Sequence, residues 1–220
     1  MPLPSSSPLP DEGLKTALLQ GLRDQGWFAS PELVPRTIAA QLREQLLLHK
    51  QAERLKPAQI GQGQQKRARP DVRGDSILWL DPENPTELER DFWIWLGNLK
   101  NLMNQHLQLG LRSEEIHYAV YPPHTRYQKH KDSFEKDDDR TLSFVLYLNE
   151  DWQPDFGGQI AVYNEQNPDQ KDAEIHPGFA QCVLFLSANI FHEVIFTNRE
   201  RFSVTGWLKK TAPGAVLPRF

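Results

Sequence analysis

The sequence contains one cysteine, so no disulfide can form within the chain. That residue, Cys182, stands in an apolar run, and we expect it to be buried in a strand. No apolar run approaches the roughly 20 residues that a membrane-spanning helix requires, and residues 1–10 lack the basic and apolar regions of a signal peptide. The net charge of −4 argues against a nucleic-acid or membrane partner. These absences predict a cytoplasmic protein.

The 220 residues are enough for one sizeable core and too few for two domains of ordinary size. We predict a disordered leader over 1–10, a single domain over 11–210 and an irregular tail over 211–220. The domain divides into helical support over 11–110 and a β core over 111–210. Caps and leucine spacing predict three helices: one from Asp11 to Gly26, one from Ser30-Pro31 to about His49, and one from a capping box at 84–87 to Gly110.

Residues 56–75 are rich in glutamine, glycine and basic residues, and they predict a flexible loop or a long hairpin tip. The basic cluster at 66–69 has three interpretations: a nucleic-acid contact, a solvated face, or part of a mobile lid over a site. The acidic net charge favours a solvated face over a nucleic-acid contact. A lid stays open as a hypothesis, because long loops in compact domains tend to be functional.

Beyond residue 115, short runs of aromatic and β-branched residues are separated by turn signals such as Pro122-Pro123 and Gly157-Gly158. Six strands are predicted here, at 116–121, 141–149, 158–163, 182–187, 192–196 and 202–208, after a short strand at 77–80. Strands at this spacing are typical of a sandwich or a jelly-roll barrel. The predicted fold class is therefore α+β, with a double-stranded β-helix (jelly-roll, cupin-like) core that N-terminal helices buttress.

His130-Lys131-Asp132 is the first candidate site. Alternate residues of a strand point to the same face, so His130 and Asp132 can bind one ion. One nitrogen and one oxygen ligand, without thiolates, suit Fe(II), Mn(II) or Zn(II). Such pairs also arise by chance, so the site depends on a third ligand, for which His192 is the candidate. Two histidines and one aspartate leave the opposite face of an iron free for substrate and dioxygen, as in non-haem Fe(II) oxygenases.

Arg201 follows His192 by one predicted strand. A buried guanidinium binds a carboxylate through two parallel hydrogen bonds. Arg201 is therefore suited to the far carboxylate of a dicarboxylic acid cosubstrate, and Tyr147 on a neighbouring strand can donate a second bond to it. An inert site has no use for a buried arginine beside the metal, which argues against a non-catalytic, cupin-like metal-binding module.

The spacing of His130-x-Asp132, His192 and Arg201-x-Ser203 resembles that of the 2-oxoglutarate and Fe(II)-dependent dioxygenases. Further stretches are similar to the oxygen-sensing prolyl hydroxylases and their bacterial relatives: Arg73-Gly74-Asp75, Tyr121-Pro122, Tyr127, 147–152, Gly157-Gly158 and 192–207. The resemblance covers residues 70–208. The chain departs from the animal enzymes between Tyr121 and His130 and in the loop at 56–72. These loops contact the protein substrate in the family, so the departures bear on substrate identity.

The resemblance implies a catalytic domain in which His130, Asp132 and His192 bind Fe(II), and Arg201 and Tyr147 bind 2-oxoglutarate. It also implies further cofactor-binding residues: Tyr121, Tyr127, Val145, Ile160, Val194, Ser203 and Trp207. With dioxygen, 2-oxoglutarate would be decarboxylated to succinate while a prolyl carbon is hydroxylated, and ascorbate would be a supporting reductant. In the family an ion pair ties the base of the substrate loop to the core, and here it would join Asp75 to Arg140.

The expected partner is a protein with a prolyl residue in a flexible loop. Bacterial relatives suggest elongation factor Tu, and the resemblance also implies a role in oxygen sensing. Two alternatives stay open. One is the same oxygenase chemistry on a small molecule, another amino acid or an alkylated nucleic acid. The other is the non-catalytic metal-binding module.

Overall fold

The computed structural model describes residues 10–59, 72–133 and 139–210. Within these residues it has three α-helices: α1 (Glu12–Asp24), α2 (Arg36–Gln51) and α3 (Arg90–Leu107). The predicted cap of α1 is confirmed, because the Asp11 carboxylate accepts a 2.8 Å hydrogen bond from the Leu14 N–H. None of the described helices is long and apolar enough to cross a membrane.

The described residues form eleven strands: β1 (Trp27–Ser30), β2 (Lys56–Pro57), β3 (Ser76–Trp79), β4 (Ser113–Tyr121), β5 (Tyr127–His130), β6 (Arg140–Tyr147), β7 (Ile160–Tyr163), β8 (Lys171–Ile175), β9 (Cys182–Leu186), β10 (His192–Val194) and β11 (Arg201–Lys209). All seven predicted strands are present, with ends displaced by a few residues, and β5 is the strand expected to carry His130. The sequence did not predict β1, β2 or β8. Strand β8 is largely exposed and lies at a sheet edge, so it lacks the apolar pattern of a core strand.

The strands form two sheets whose pairings are antiparallel. The larger sheet has the order β1-β9-β6-β11-β4-β3-β2, and the smaller has the order β5-β10-β7-β8. Neighbouring strands are mostly distant in sequence, so the chain crosses repeatedly between the sheets. The predicted mixture of helices and antiparallel sheet is confirmed, and this strand order is consistent with a double-stranded β-helix.

Apolar side chains form a core on each face of the larger sheet. On one face α3 packs against β6, with the rings of Trp95 and Phe144 5.8 Å apart. On the other face, residues of both sheets meet, including Val145 from β6 and Ile160 from β7. Cys182 is fully buried in β9, as predicted. The helices therefore support one face of the larger sheet, and the other face is available to a site between the sheets.

The predicted start of the second helix is wrong. Ser30 is the last residue of β1, where it pairs with Cys182 of β9. Its hydroxyl accepts a 3.1 Å hydrogen bond from the Glu32 N–H, which makes a turn rather than a helix cap. Helix α2 begins only at Arg36, with Pro35 in the cap position. The pairing of β1 with a strand far along the chain overrides the local Ser-Pro signal.

The capping box of the third helix is shifted from its predicted position at 84–87. The Glu89 carboxylate accepts a 2.9 Å hydrogen bond from the Thr86 N–H, and a 3-10 turn then leads into α3. The helix ends before Gly110, because Gln108 adopts a left-handed conformation with φ of 54°. These shifts leave the predicted apolar face of the helix buried.

The segment at 56–75 begins with β2, which pairs antiparallel with the strand that follows the segment, β3. Residues 60–71 lie outside the described residues, so the predicted flexible loop or hairpin tip stays a prediction. Its basic cluster at 66–69 lies outside the described residues, as do the predicted tail at 211–220 and all but the last residue of the predicted leader.

Candidate active site and metal centre

Strands β5 and β10 bring the predicted metal ligands together. His130 and His192 are paired across these strands, and their ring centroids are 4.2 Å apart. Asp132 follows β5, with its Oδ1 3.4 Å from Nε2 of His130 and its Oδ2 3.6 Å from Nε2 of His192. One ligand atom from each residue lies within 4.8 Å of the others. Two imidazoles and one carboxylate at this spacing can bind a divalent first-row metal on one face.

Both imidazoles are held with Nε2 available as a ligand. Nδ1 of His130 lies 2.6 Å from the carbonyl oxygen of Gln128, and Nδ1 of His192 lies 3.4 Å from that of Ile190. A carbonyl oxygen can only accept, so each Nδ1 carries the proton and each Nε2 keeps its lone pair. Nε2 of His130 is buried and has no hydrogen-bond partner among the described residues. A bound metal would satisfy it.

The electrostatics of the site favour the metal-binding protonation states. Burial acts to raise the pKa of the Asp132 carboxyl, but His192, His130 and the Ser143 hydroxyl outweigh it and hold that pKa well below its usual range. Burial and the neighbouring His130 lower the pKa of His192 to about 4. At neutral pH these groups are therefore a carboxylate and a neutral imidazole, the forms that bind metals.

The triad lies in a pocket lined by side chains of both sheets. Seven of the predicted cofactor-binding residues line it with the triad: Tyr121, Tyr127, Val145, Tyr147, Ile160, Val194 and Trp207. Ser203 does not line the pocket, although it is fully buried in β11. Its hydroxyl accepts a 3.4 Å hydrogen bond from Thr205, which does line it. Ser203 therefore lies behind the wall.

Arg201 reaches the same pocket from β11 and is only 2% exposed. Its guanidinium carbon lies 5.1 Å from the centre of the Tyr147 ring, and Nη1 donates a 3.3 Å hydrogen bond to the Gly158 carbonyl. Nε of Arg201 and the Tyr147 hydroxyl have no hydrogen-bond partner within the part of the chain that the structure describes, and no acidic group there pairs with Arg201. A buried charge without a counter-charge is costly. No acidic group among the described residues supplies that counter-charge, so the position of Arg201 suits an anionic ligand.

Comparison with known proteins identifies the family of this chain. Residues 116–209 match the family model of the 2OG-Fe(II) oxygenase superfamily. A prolyl-4-hydroxylase from Pseudomonas putida has a similar structure, with a TM-score of 0.78 and 34% identity over 90% of this chain and 100% of that chain. The chain belongs to the 2OG-Fe(II) oxygenase superfamily. The family predicted from the sequence motifs is confirmed.

Animal relatives of this oxygenase are more distant. Human Egl nine homolog 1 is 28% identical over 146 residues, which are 62% of this chain and 33% of the human protein. The chain thus spans about a third of the length of that relative. A prolyl hydroxylase from Trichoplax adhaerens, in complex with a peptide fragment of the hypoxia-inducible factor oxygen degradation domain, has a TM-score of 0.79 and 24% identity, over 90% of each chain. It shares the fold.

The residues of the oxygenase fit the cofactors of its superfamily, which are Fe(II), 2-oxoglutarate and dioxygen, as predicted. Among the described residues Nε2 of His130 has no hydrogen-bond partner, which suits a metal. Arg201 has no acidic partner there, which suits a carboxylate in the same pocket. When bound, Fe(II) and 2-oxoglutarate supply the oxidative chemistry, in which 2-oxoglutarate loses CO2 as the substrate is oxidised.

Six residues line the oxygenase pocket without having been predicted as site residues: Arg73, Asp75, His117, Ala119, Phe185 and Thr205. His117 is fully buried between Trp79 and Trp207, at ring distances of 4.8 and 5.6 Å. Burial and the charge of Arg73 lower its pKa to about 3, so it is neutral. Strand alternation could have found it, because His117 shares a face of β4 with Ala119 and Tyr121.

The predicted ion pair between Asp75 and Arg140 is wrong. The buried Asp75 carboxylate accepts two hydrogen bonds from Arg73, of 2.7 and 2.9 Å. Arg140 instead pairs with Glu115 at 3.1 Å, and its guanidinium carbon lies 3.5 Å from the Trp207 ring centre. The planar guanidinium of Arg73 satisfies both oxygens of its near neighbour in the sequence, which leaves Arg140 to other partners.

Proposed function

We propose that this oxygenase is an Fe(II)- and 2-oxoglutarate-dependent hydroxylase that acts on a prolyl residue of a protein. The observation that carries the proposal is the buried Arg201, which has no acidic partner among the described residues and lines the same pocket as the triad. A dicarboxylate that binds both the metal and Arg201 accounts for this arrangement. A non-catalytic metal-binding module does not, because it gives Arg201 no counter-charge.

In this proposal each ligand has one role. His130 and His192 would bind Fe(II) through Nε2, and Asp132 would bind it through its carboxylate. Arg201 would bind the distal carboxylate of 2-oxoglutarate through two hydrogen bonds, and the Tyr147 hydroxyl would donate another. Both side chains are buried, so the pocket would hold the dicarboxylate in one orientation without rearrangement.

The remaining wall would keep water away from the reacting groups. Its apolar part comes from Val145, Ile160 and Val194, which belong to both sheets, and from Trp207. Tyr127 stacks on the His130 ring at a centroid distance of 3.7 Å and would fix the plane of that ligand. A dry, rigid pocket strengthens the electrostatic interactions on which orientation depends.

A protein substrate is supported by the relatives and by the position of one segment. The Trichoplax relative binds a peptide. In this chain Arg73 and Asp75, at the end of the connection between β2 and β3, line the pocket, so this connection reaches the site. We infer that the segment at 56–75 contacts a flexible loop of the substrate. Elongation factor Tu is the candidate, and it requires the cytoplasmic location that the sequence predicts.

Mass spectrometry tests the proposal directly. Purified protein, Fe(II), 2-oxoglutarate and ascorbate are incubated with elongation factor Tu and, separately, with a cell lysate, and peptides are searched for one added oxygen on proline. The expected result is one modified prolyl residue, with an equal yield of succinate. Asp132→Ala is the inactive control, and the exposed Asp172→Asn is the matched control that should remain active.

The alternatives predict other outcomes of the same experiment. Succinate formation without any modified proline in the lysate would favour the same chemistry on a small molecule, another amino acid or an alkylated nucleic acid. No succinate under any condition would favour the metal-binding module. We also propose a role in oxygen sensing by analogy with the animal relatives. That role predicts that turnover changes in proportion to dioxygen across the physiological range.

A further inference from the structure

Two serines in series hold the carboxylate of Asp132. The Ser143 hydroxyl donates a 2.7 Å hydrogen bond to Oδ2 of Asp132, and the hydroxyl oxygens of Ser143 and Ser187 are 2.9 Å apart. Both serines are buried. A hydroxyl has one proton to donate, and Ser143 gives it to the carboxylate. The hydrogen bond between the serines is therefore donated by Ser187.

Ser187 is itself fixed by the backbone. Its N–H donates to the Thr141 carbonyl at 3.1 Å, and its carbonyl accepts from the Ser133 N–H at 3.3 Å. Ser133 follows Asp132, so Ser187 touches the ligand segment twice, through the backbone and through Ser143. Ser187 directly follows β9, which pairs with β6, the strand that carries Ser143. The larger sheet thus sets the position of both hydroxyls.

Without this contact the two oxygens of Asp132 would be nearly equivalent toward a metal. Oδ1 lies 3.4 Å from Nε2 of His130, and Oδ2 lies 3.6 Å from Nε2 of His192. The hydrogen bond from Ser143 falls on Oδ2 alone. This hydrogen bond occupies a lone pair of Oδ2 and fixes the rotation of the carboxylate, so Oδ1 becomes the better metal ligand of the two oxygens.

We propose that Ser143, held by Ser187, is a positioning residue that makes Oδ1 the only oxygen of Asp132 to bind the metal. The inference rests on the proposed function, because it needs the metal site. With one carboxylate oxygen and two imidazoles as its protein ligands, a bound metal would keep more ligand positions for 2-oxoglutarate and dioxygen than it would with both carboxylate oxygens.

We call the hydrogen-bonded chain from Ser187 through Ser143 to Asp132 the serine relay. Cobalt(II) tests it without turnover, because the visible absorption of the ion responds to coordination number and geometry. The metal-free protein is titrated with Co(II), and both the spectrum and the dissociation constant are recorded. The variants are Ser143→Ala, Ser143→Thr, which restores a hydroxyl, and Ser187→Ala. Ser30→Ala, at a buried serine of β1 that does not line the pocket, is the matched control. If Ser143→Ala does not fold, Ser143→Cys replaces it, since a thiol is only a weak donor.

The expected result is an altered Co(II) spectrum in Ser143→Ala, with binding weakened by about 10-fold to 100-fold as for other partners of metal ligands. Ser143→Thr should restore the wild-type spectrum, Ser187→Ala should show a smaller change in the same direction, and Ser30→Ala should show none. A Ser143→Ala spectrum that superimposes on that of the wild type would overturn the inference.

Asp132→Ala separates this inference from the proposed function. If Asp132→Ala loses Co(II) binding while Ser143→Ala is unchanged, only the serine relay is wrong. If Asp132→Ala binds Co(II) as the wild type does, the metal site is wrong, and the relay is wrong with it.

Discussion

The guanidinium carbon of Arg201 lies 4.3 Å from the centre of the Tyr121 ring, so an aromatic face covers this charge. Within the described residues no acid neutralises it, and burial keeps it from water. A cation held in this way is organised in advance to bind an anionic ligand. The His130-Asp132-His192 triad lies in the same pocket, so a dicarboxylate that binds Arg201 at one end can reach the metal site at the other.

Replacement of Arg201 should impair 2-oxoglutarate binding and spare the metal. Truncation of one partner in a buried charge pair costs about 2–5 kcal/mol, so Arg201→Ala should raise the dissociation constant for 2-oxoglutarate by about 30-fold or more. Arg201→Lys should have an affinity for 2-oxoglutarate between those of Arg201→Ala and the wild type, because an ammonium cannot form two parallel hydrogen bonds. Calorimetric titration measures the affinities for 2-oxoglutarate and for the metal. The exposed Arg199→Ala is the control, and equal affinities in Arg201→Ala and Arg199→Ala would contradict the assignment.

Metal binding should stabilise the folded protein through Asp132. A ligand at 100 times its dissociation constant adds about 2.7 kcal/mol, and for a chain of this size each kcal/mol raises the melting temperature by about 2–4 °C. Saturating Mn(II), with chelator-treated protein as reference, should therefore raise it by about 5–10 °C. Asp132→Ala should show no rise and Asp172→Asn a full one. A full rise in Asp132→Ala would place the ion elsewhere.

Asp75 should be coupled energetically to Arg73 and not to Arg140. Breaking a buried ion pair by removing one partner costs about 3–5 kcal/mol, and contacting residues show coupling of about 0.5–3 kcal/mol in double-mutant cycles. Urea unfolding of single and double alanine variants should give a coupling above about 1 kcal/mol for Arg73 with Asp75. The cycle of Asp75 with Arg140 should stay below about 0.5 kcal/mol. A larger coupling energy for Asp75 with Arg140 than for Asp75 with Arg73 would contradict this assignment and support the ion pair predicted from the sequence.

Acid should destabilise the metal-free protein partly through His117. Its pKa is about 3 in the folded state and about 6.5 in an unfolded chain. Between these values only the unfolded state binds the proton, so stability falls as the pH falls from 6.5 toward 3, by up to about 1.4 kcal/mol per pH unit. Urea unfolding at pH 7 and pH 5 should show that His117→Asn loses less unfolding free energy than the wild type between these two pH values. The exposed His106→Asn should lose as much as the wild type; equal losses in all three proteins would contradict this role.

Local patterns predicted most of the pocket before the structure. The alternation of side chains along a strand is a short-range rule, and it places Arg201 and Trp207 on one face of β11. The strand predicted to carry both His130 and Asp132 ends at His130, so these two ligands meet at the site without sharing a strand. The family motifs then joined residues such as Tyr147 that are far apart in the sequence. Strand alternation would also have found His117 if the pairing of β4 with β11 had been known.

Features that depend on distant pairing could not be predicted. Ser30 has the sequence of a helix cap, but its pairing with Cys182 makes it the end of a strand. The hydrogen bond from Ser143 to Asp132 joins two different segments of the chain, and no spacing in the sequence encodes it. Such contacts are set by tertiary packing, which overrides local preference.

The most direct test of the central claim is a single-turnover reaction under 18O-labelled dioxygen, with elongation factor Tu or the lysate protein identified by mass spectrometry. The account predicts one labelled oxygen atom on one prolyl residue and one in succinate, both lost in Asp132→Ala and both retained in Asp172→Asn. Labelled succinate without a labelled proline, in the presence of every candidate protein, would contradict it.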